Sequence, residues 1–183
     1  DGGVMGVYHK VQPTIGEMEG GTIPGMEAPA WETDCGKVGM CICFDLKFPE
    51  VAMMLARSGA RIVFFPSMFH GGMRHGAWAR DYGVFLVVSQ SQESVILDMC
   101  GRRLAWQGYQ EPLVNSGALL PFAFADVNTD CKAYHLDFNQ GKLGDIEAKY
   151  GPGVRFSILR QEATFVMESL MEDISVEEIE RKF

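Results

Sequence analysis

The sequence predicts an α/β fold in which parallel strands are covered by helices. Two apolar runs, 37–43 and 61–66, have the length and composition of buried strands. Between them, a Pro-Glu pair at 49–50 is typical of a helix start, because Pro is favoured at the first helical position and Glu near the positive N-terminal end. Gly59 is typical of a helix end. A strand, a helix and a strand in this order form a βαβ unit, whose strands pair in parallel.

The other elements are predicted from the same kinds of signal. VILD and RRLAW flank a Met-Cys-Gly turn and predict an antiparallel hairpin. Two later segments, RFSILR and ATFVMESL, fit either a strand or a helix. Ser175 and Glu178 fit a capping box, which predicts a short acidic helix. The predicted ranges are a short helix at 77–82, strands at 84–91 and 118–127, the second with Pro at an edge or bulge, and the acidic helix at 176–182.

Composition and charge argue against several classes of protein. A chain of 183 residues, 47% hydrophobic and 22% charged, fits one globular domain with a sizeable core. A net charge of −8 argues against a nucleic-acid partner, which requires clustered Lys and Arg. We expect no membrane span, which needs roughly 18 apolar residues in a row, and no signal peptide. Five cysteines at irregular spacing argue against a disulfide framework and favour the reducing cytoplasm.

The stretch GMCICFDLKFPE places two cysteines one residue apart at the predicted end of the first strand. In a strand, Cys41 and Cys43 point to the same face. Cys43 is the last residue before the chain turns polar, and ligands collect at that edge of α/β sheets. A thiol there can act as a nucleophile, with the N–H of Phe44 as an oxyanion donor. The alternative is that Cys43 is a small buried hydrophobe, as Cys41 is expected to be.

The segment GKVGMCICFDLKFPE, followed by LARSGARIVFFPS, resembles the signature around the catalytic cysteine of the nitrilase superfamily, the carbon–nitrogen hydrolases. The resemblance implies a four-layer αββα sandwich, with Cys43 rather than Cys41 as the nucleophile. The matching residues are Gly36, Gly39, Ile42, Cys43, Phe44, Asp45, Phe48, Pro49, Glu50, Gly59, Ala60 and Pro66.

The upstream block GVYHKVQPTIGEMEGGTIPG is similar to the family's segment around a catalytic lysine. The resemblance places that lysine at Lys10 and a second glutamate at Glu17, with Glu19 as the rival position. In the family the general base is a glutamate that precedes the lysine, and no Glu stands before Lys10. We therefore expect the sequence to be an N-terminally truncated piece of the fold, which would be inactive alone because this glutamate is absent.

Downstream the resemblance is weaker. Ser94, Asp98 and Gly101 fit a later family pattern, but Gln92 replaces its glycine and Gly83 stands where Asn is usual. The resemblance implies a partial carbon–nitrogen hydrolase domain over 1–127 and a C-terminal extension over 128–183 that is a possible oligomer contact. Three side chains of the loop after the second strand are candidates for the substrate pocket, with ordinary packing as the equal alternative: Phe69, His70 and Trp78.

The implied activity is hydrolysis of a carbon–nitrogen bond through a cysteine thioester. Phe44-Asp45 stands where true nitrilases carry Trp-Glu, which favours a small linear amide or N-carbamoyl substrate. The resemblance implies no cofactor, no metal and a homo-oligomer.

Three alternatives remain open. One is a truncated or degenerate family member that serves only as a structural or interaction module. A Cys–His hydrolase using His70 or His75 lacks an identifiable orienting partner in the sequence. The third alternative is a zinc site. It has weak support, because zinc ligand pairs are usually two to four residues apart and Cys41 and Cys43 are closer together than that.

Overall fold

The computed structural model describes residues 2–108 and 122–183. The chain divides into two compact units, Asp1–Ala125 and Asp126–Phe183, and each is described by itself. In the described part of the chain, no helix is long and apolar enough to cross a membrane.

The first unit contains a six-stranded sheet with the strand order β1-β2-β3-β4-β5-β6. β2 pairs with β3 and β3 with β4 in parallel, and the other pairings are antiparallel. The predicted βαβ unit and the predicted hairpin are thereby confirmed. The elements are α1 (Ile15–Glu19), β1 (Ala30–Thr33), β2 (Gly36–Met40), a 3₁₀ helix (Cys43–Lys47), α2 (Pro49–Arg57), β3 (Ile62–Ser67), α3 (Met73–Tyr82), β4 (Phe85–Gln90), β5 (Glu93–Leu97) and β6 (Arg103–Gly108).

Helix α2 packs closely on the sheet and fixes where the chain leaves β2. Pro49 is at its first position, as predicted, and Val51 and Leu55 are buried. A Cβ atom at Gly39 would lie 2.6 Å from Leu55 Cδ2, so only glycine allows the helix this close to the strand. The helix and the middle strands share one core, whose largest fully buried side chain is Phe65.

Three predicted boundaries in this unit are wrong. The first strand ends at Met40 rather than at residue 43, because Cys43 begins a 3₁₀ helix. Cys43 therefore does not share a strand face with Cys41. Helix α3 begins at Met73, earlier than predicted. Of the predicted strand 118–127, residues 118–121 lie outside the described residues, and 122–127 form no strand.

The second unit is a three-stranded antiparallel sheet with the order β7-β9-β8. RFSILR and ATFVMESL, left open by the sequence, are both strands. The capping box of Ser175 and Glu178 is confirmed. A separate core includes Phe165 and Ile179. The elements are β7 (Cys131–His135), α4 (Gln140–Tyr150), a 3₁₀ turn (Gly151–Gly153), β8 (Val154–Leu159), β9 (Thr164–Ser169) and α5 (Val176–Glu180).

Candidate active site

Cys43 lies in a sharp turn at the carboxyl end of β2. The N–H of Cys41 still bonds to the carbonyl oxygen of Phe64 in β3, at 3.1 Å. Two residues later, Cys43 has φ of +51°, a left-handed conformation that is unfavourable for any residue with a Cβ atom. Backbone strain of this kind concentrates at functional sites, and nucleophiles on strand-to-helix turns are presented in this way.

The structure separates the two sulfurs that the sequence placed together. Cys43 is half-buried, whereas Cys41 is fully buried in the core. Burial, followed by the nearby charge of Asp45, raises the pKa of the Cys41 thiol. A protonated, inaccessible thiol is a poor nucleophile, so Cys41 behaves as a core residue.

Lys10 is held by Glu17 through two short hydrogen bonds. Its Nζ donates to Oε1 of Glu17 at 2.8 Å and to Oε2 at 2.7 Å, and the lysine side chain is only 10% exposed. The Lys10 carbonyl accepts a hydrogen bond from the N–H of Gly25 at 2.8 Å. The structure thus brings Lys10 together with Glu17, the first of the two glutamates considered.

Glu17 is itself fixed by a capping box at the start of α1. Its carboxylate accepts the Thr14 N–H at 2.6 Å, and its own N–H donates to Thr14 Oγ1 at 3.3 Å. The hydrogen bonds from Lys10 and then from Thr14 lower the pKa of Glu17 to about 2. The pattern Thr-x-x-Glu at 14–17 is the sequence signal that would have predicted this arrangement.

Asp45 matches the family motif, but the sequence did not predict a role for it at this site. Its fully buried carboxylate accepts hydrogen bonds from the Tyr8 hydroxyl at 2.8 Å, the Gln12 N–H at 2.7 Å and the Ile42 N–H at 2.8 Å. Burial, and then the hydrogen bond to Asp45, raises the pKa of Tyr8, so its hydroxyl stays a donor. Asp45 thereby ties the segment that carries Lys10 to the turn that carries Cys43.

The remaining predicted residues lie in three environments: beside a lysine, on the surface and in the core. Lys47 Nζ lies 5.4 Å from the ring centroid of Phe44 and 5.3 Å from that of Phe69, so both rings flank one cation. His70 is exposed, with Nδ1 2.6 Å from Nε2 of Gln90. Trp78 is buried in the core of the first unit, and its part in a substrate pocket stays a prediction.

A metal site finds no geometric support among the residues described. Within residues 2–108 and 122–183, no group of three or more His, Cys, Asp or Glu side chains is placed to hold a metal ion. His75, the other histidine considered as a base, is buried against the edge of Phe65, and burial lowers its pKa.

Comparison with known proteins gives this geometry a family. Residues 1–83 match the carbon–nitrogen hydrolase family. A structure of yeast (Saccharomyces cerevisiae) Nit3, a member of branch 10 of the nitrilase superfamily, is 28% identical with a TM-score of 0.52, and covers 59% of this chain and 46% of that one. Residues 1–83 thus resemble the carbon–nitrogen hydrolases, and the chain is similar in fold to the nitrilase superfamily. The predicted α/β fold of the nitrilase type is therefore confirmed.

Curated relatives match the chain over short stretches. Human deaminated glutathione amidase is 36% identical over 78 residues, which is 37% of this chain and 24% of that protein. Yeast omega-amidase NIT3 is 45% identical over 47 residues, or 26% of this chain and 16% of that protein. The chain thus matches about a quarter or less of the length of these relatives. The match to the family over 1–83 includes every predicted site residue.

Proposed function

We propose that this protein hydrolyses a linear amide or N-carbamoyl compound through a thioester on Cys43. One observation carries the proposal. Cys43 occupies a strained turn at the carboxyl end of a parallel strand, within the region that matches the carbon–nitrogen hydrolases, and Asp45 links this turn to the segment of Lys10. This linkage supports Cys43 as the nucleophile and Lys10 as the cation that stabilises the oxyanion.

The proposed steps balance as an acyl transfer to sulfur followed by hydrolysis. Cys43 Sγ forms a bond to the carbonyl carbon, and the thiol proton passes through a base to the leaving nitrogen. The N–H of Phe44 and the ammonium of Lys10 stabilise the oxyanion, while Glu17 holds Lys10 in place. Water, activated by the same base, then cleaves the thioester to give the acid and the free thiol.

The base is proposed to be a glutamate, as the family resemblance implies. Among residues 2–108 and 122–183, no carboxylate is hydrogen-bonded to the Cys43 thiol, and Asp45 is committed to three donors. None of the carboxylates described in the structure is proposed as this base.

The substrate class is proposed from two observations. The human and yeast relatives carry the names deaminated glutathione amidase and omega-amidase, both of which state that the bond attacked is an amide. Phe44-Asp45 replaces the Trp-Glu pair usual in true nitrilases. Both favour an amide carbonyl over a nitrile.

The experiment is an ammonium-release assay on the longest natural form of the protein, because the resemblance places the base glutamate before Lys10 and residues 1–9 contain none. The panel contains succinamate and glutaramate as linear amides, N-carbamoyl-β-alanine, and glutaronitrile. We expect turnover of an amide or carbamoyl compound, a loss of more than about 1,000-fold in Cys43→Ala, and a loss of about 100-fold or more in Lys10→Met.

Two cysteine variants are the controls. Cys35→Ala removes an exposed thiol and Cys41→Ala a core thiol, and both should retain most of the activity. Turnover that survives Cys43→Ala would exclude the thioester. If the folded wild-type protein in this longest form releases no ammonium from any compound, the non-catalytic module is favoured instead.

A further inference from the structure

We propose that Asp45 is a positioning residue that sets the Cys43 turn relative to Lys10. The inference deepens the proposed function and rests on it, since it takes Cys43 and Lys10 as the reacting groups. It assigns to Asp45 no contact with the substrate. Its task is to hold two segments, 33 residues or more apart along the chain, in one arrangement.

The carboxylate of Asp45 is buried. A buried carboxylate is costly unless both of its oxygens accept hydrogen bonds. Asp45 is fully buried, with Oδ1 bonded to the Gln12 N–H and Oδ2 to the Tyr8 hydroxyl and the Ile42 N–H. Losing the Gln12 N–H would leave Oδ1 without a donor, and losing either donor to Oδ2 would leave that oxygen with one, so the three segments are held together cooperatively.

The long-range donors to Asp45 lie on both sides of Lys10 in the sequence. Tyr8 and Gln12 stand two residues before and two residues after Lys10. The Tyr8 hydroxyl in turn accepts the N–H of Val11 at 3.3 Å, which closes the segment around the lysine. Asp45 therefore fixes both flanks of Lys10, while Glu17 fixes its ammonium group.

The short-range donor to Asp45 is the N–H of Ile42. Ile42 immediately precedes Cys43, and its N–H bonds to Asp45 Oδ2 while its carbonyl accepts the Asp45 N–H at 3.1 Å. This pair of bonds encloses Cys43 and opposes relaxation of its left-handed backbone. A purely local turn-capping role would explain this pair alone. It would not explain the bonds to Tyr8 and Gln12.

The principal variant is Asp45→Asn, which keeps the size of the side chain and replaces one acceptor with a donor. If Nδ2 takes the place of Oδ1 it faces the Gln12 N–H, and if it takes the place of Oδ2 it faces the Tyr8 hydroxyl and the Ile42 N–H. In both cases at least one native donor meets an N–H group, so the two segments shift apart. We expect kcat to fall by about 100-fold, because a displacement of about 1 Å at reacting groups has that effect. KM should stay within about threefold, since Asp45 is not placed in contact with substrate.

Asp98→Asn is the matched control. Asp98 is also a buried carboxylate, and it accepts hydrogen bonds from the Cys100 N–H at 2.9 Å, the Arg102 N–H at 2.9 Å and Arg102 Nε at 2.8 Å. It belongs to the turn between β5 and β6, away from both segments of the site in sequence. The two variants should lower the melting temperature comparably, but Asp98→Asn should leave kcat within about twofold.

A double-mutant cycle separates positioning from loss of stability. If Asp45 acts by placing Cys43 against Lys10, then Asp45→Asn should cost much less in a Lys10→Met background, less than about tenfold. Additive losses in kcat would overturn the proposal. Tyr8→Phe removes one donor, keeps the ring, and should cost about tenfold in kcat. It serves as the test if Asp45→Asn does not fold, and full activity of a folded Tyr8→Phe would then contradict the proposal.

Iodoacetamide labelling distinguishes failure of this inference from failure of the proposed function. The ratio of Cys43 to Cys35 labelling, read by mass spectrometry, requires no turnover. Asp45→Asn should change this ratio at least about fivefold, whereas Asp98→Asn should leave it within about twofold. An unchanged ratio in folded Asp45→Asn would refute the inference even if the wild-type chain hydrolyses amides. A changed ratio would support it even if no amide in the panel is hydrolysed.

Discussion

At the scale of single residues, the candidate site contains two groups that are unfavourable in isolation. Cys43 has a left-handed backbone, which costs roughly 1–2 kcal/mol for a residue with a Cβ atom. Asp45 places a carboxylate in the core, where only its three donors make burial tolerable. The two features are connected, because the hydrogen bonds between Asp45 and Ile42 enclose Cys43. The proposed function gives a reason for both, and stability alone does not.

The strain at Cys43 predicts an inverted order of stability between two inactive variants. Glycine adopts positive φ without a Cβ clash, so Cys43→Gly should have a free energy of unfolding about 1 kcal/mol higher than Cys43→Ala. Urea denaturation measures the difference. At Cys131, a buried residue at the start of the edge strand β7, the order should be the usual one, with Ala more stable than Gly. A Cys43→Ala variant as stable as Cys43→Gly would mean that the turn is not strained.

The pairing of Lys10 with Glu17 predicts the titration of one carboxyl group. Because the folded pKa of Glu17 is lowered to about 2, its stabilising contribution is complete above the unfolded pKa. That contribution is lost as the pH falls through about 2. A carboxyl-detected NMR titration should show a Glu17 midpoint near 2 in the wild type and a midpoint well above this in Lys10→Met.

Lys37→Met is the control for this titration. Lys37 is an exposed lysine 4.0 Å from Glu32, and its removal should not move the Glu17 midpoint. If the midpoint is the same in Lys10→Met and in the wild type, the ion pair does not form in solution.

At the scale of elements, close contact between α3 and the β5–β6 turn depends on glycine. Gly101 has φ of +75°, and a Cβ atom there would lie 2.6 Å from the carbonyl oxygen of Gly76 in α3. Both the backbone conformation and the contact exclude a side chain. The family pattern that ends in this glycine is therefore a packing requirement, which the sequence carried without showing its partner.

Gly101→Ala should destabilise the protein by about 1–3 kcal/mol, because the added methyl group both strains the turn and pushes α3 away. Urea denaturation would measure the loss. The control is Gly141→Ala in α4, where nothing lies within 4 Å of the added Cβ and φ is not positive, so the change should be neutral or slightly stabilising. Equal stability of the two variants would show that the turn can move away from α3 at no cost.

Prediction from the sequence worked where local signals and tertiary packing agree. The apolar runs at 61–66 and 84–91 and the proline that begins α2 are strong local signals, and the strands and helix are confirmed there. The predicted end of β2 was wrong because the apolar run continues through Cys43, whereas the backbone turns there into a 3₁₀ helix whose Asp45 accepts hydrogen bonds from Tyr8 and Gln12. Such long-range bonds leave no periodic signal in a single sequence.

At the scale of the whole molecule, two separate cores underlie the fold. The first unit has its core around Phe65 and the second around Ile179. The sequence predicted the chemistry of the first unit through motifs at fixed spacing. It left the strands of the second unit undecided, because RFSILR and ATFVMESL satisfy either periodicity. Their pairing in one antiparallel sheet decides what local pattern could not.

The two cores predict which strands a cavity in each core will destabilise. Leu55 and Ile179 are both fully buried, and truncating either to Ala should cost about 2–5 kcal/mol. In hydrogen-exchange mass spectrometry, Leu55→Ala should accelerate exchange mainly in β2, β3 and β4. Ile179→Ala should do so mainly in β7, β8 and β9, because exchange reports the stability of the cooperative unit that contains each amide. If each variant instead accelerated exchange equally in both sheets, the two cores would belong to one cooperative unit, and substitutions in the second unit would be expected to weaken the strained turn at Cys43 as well.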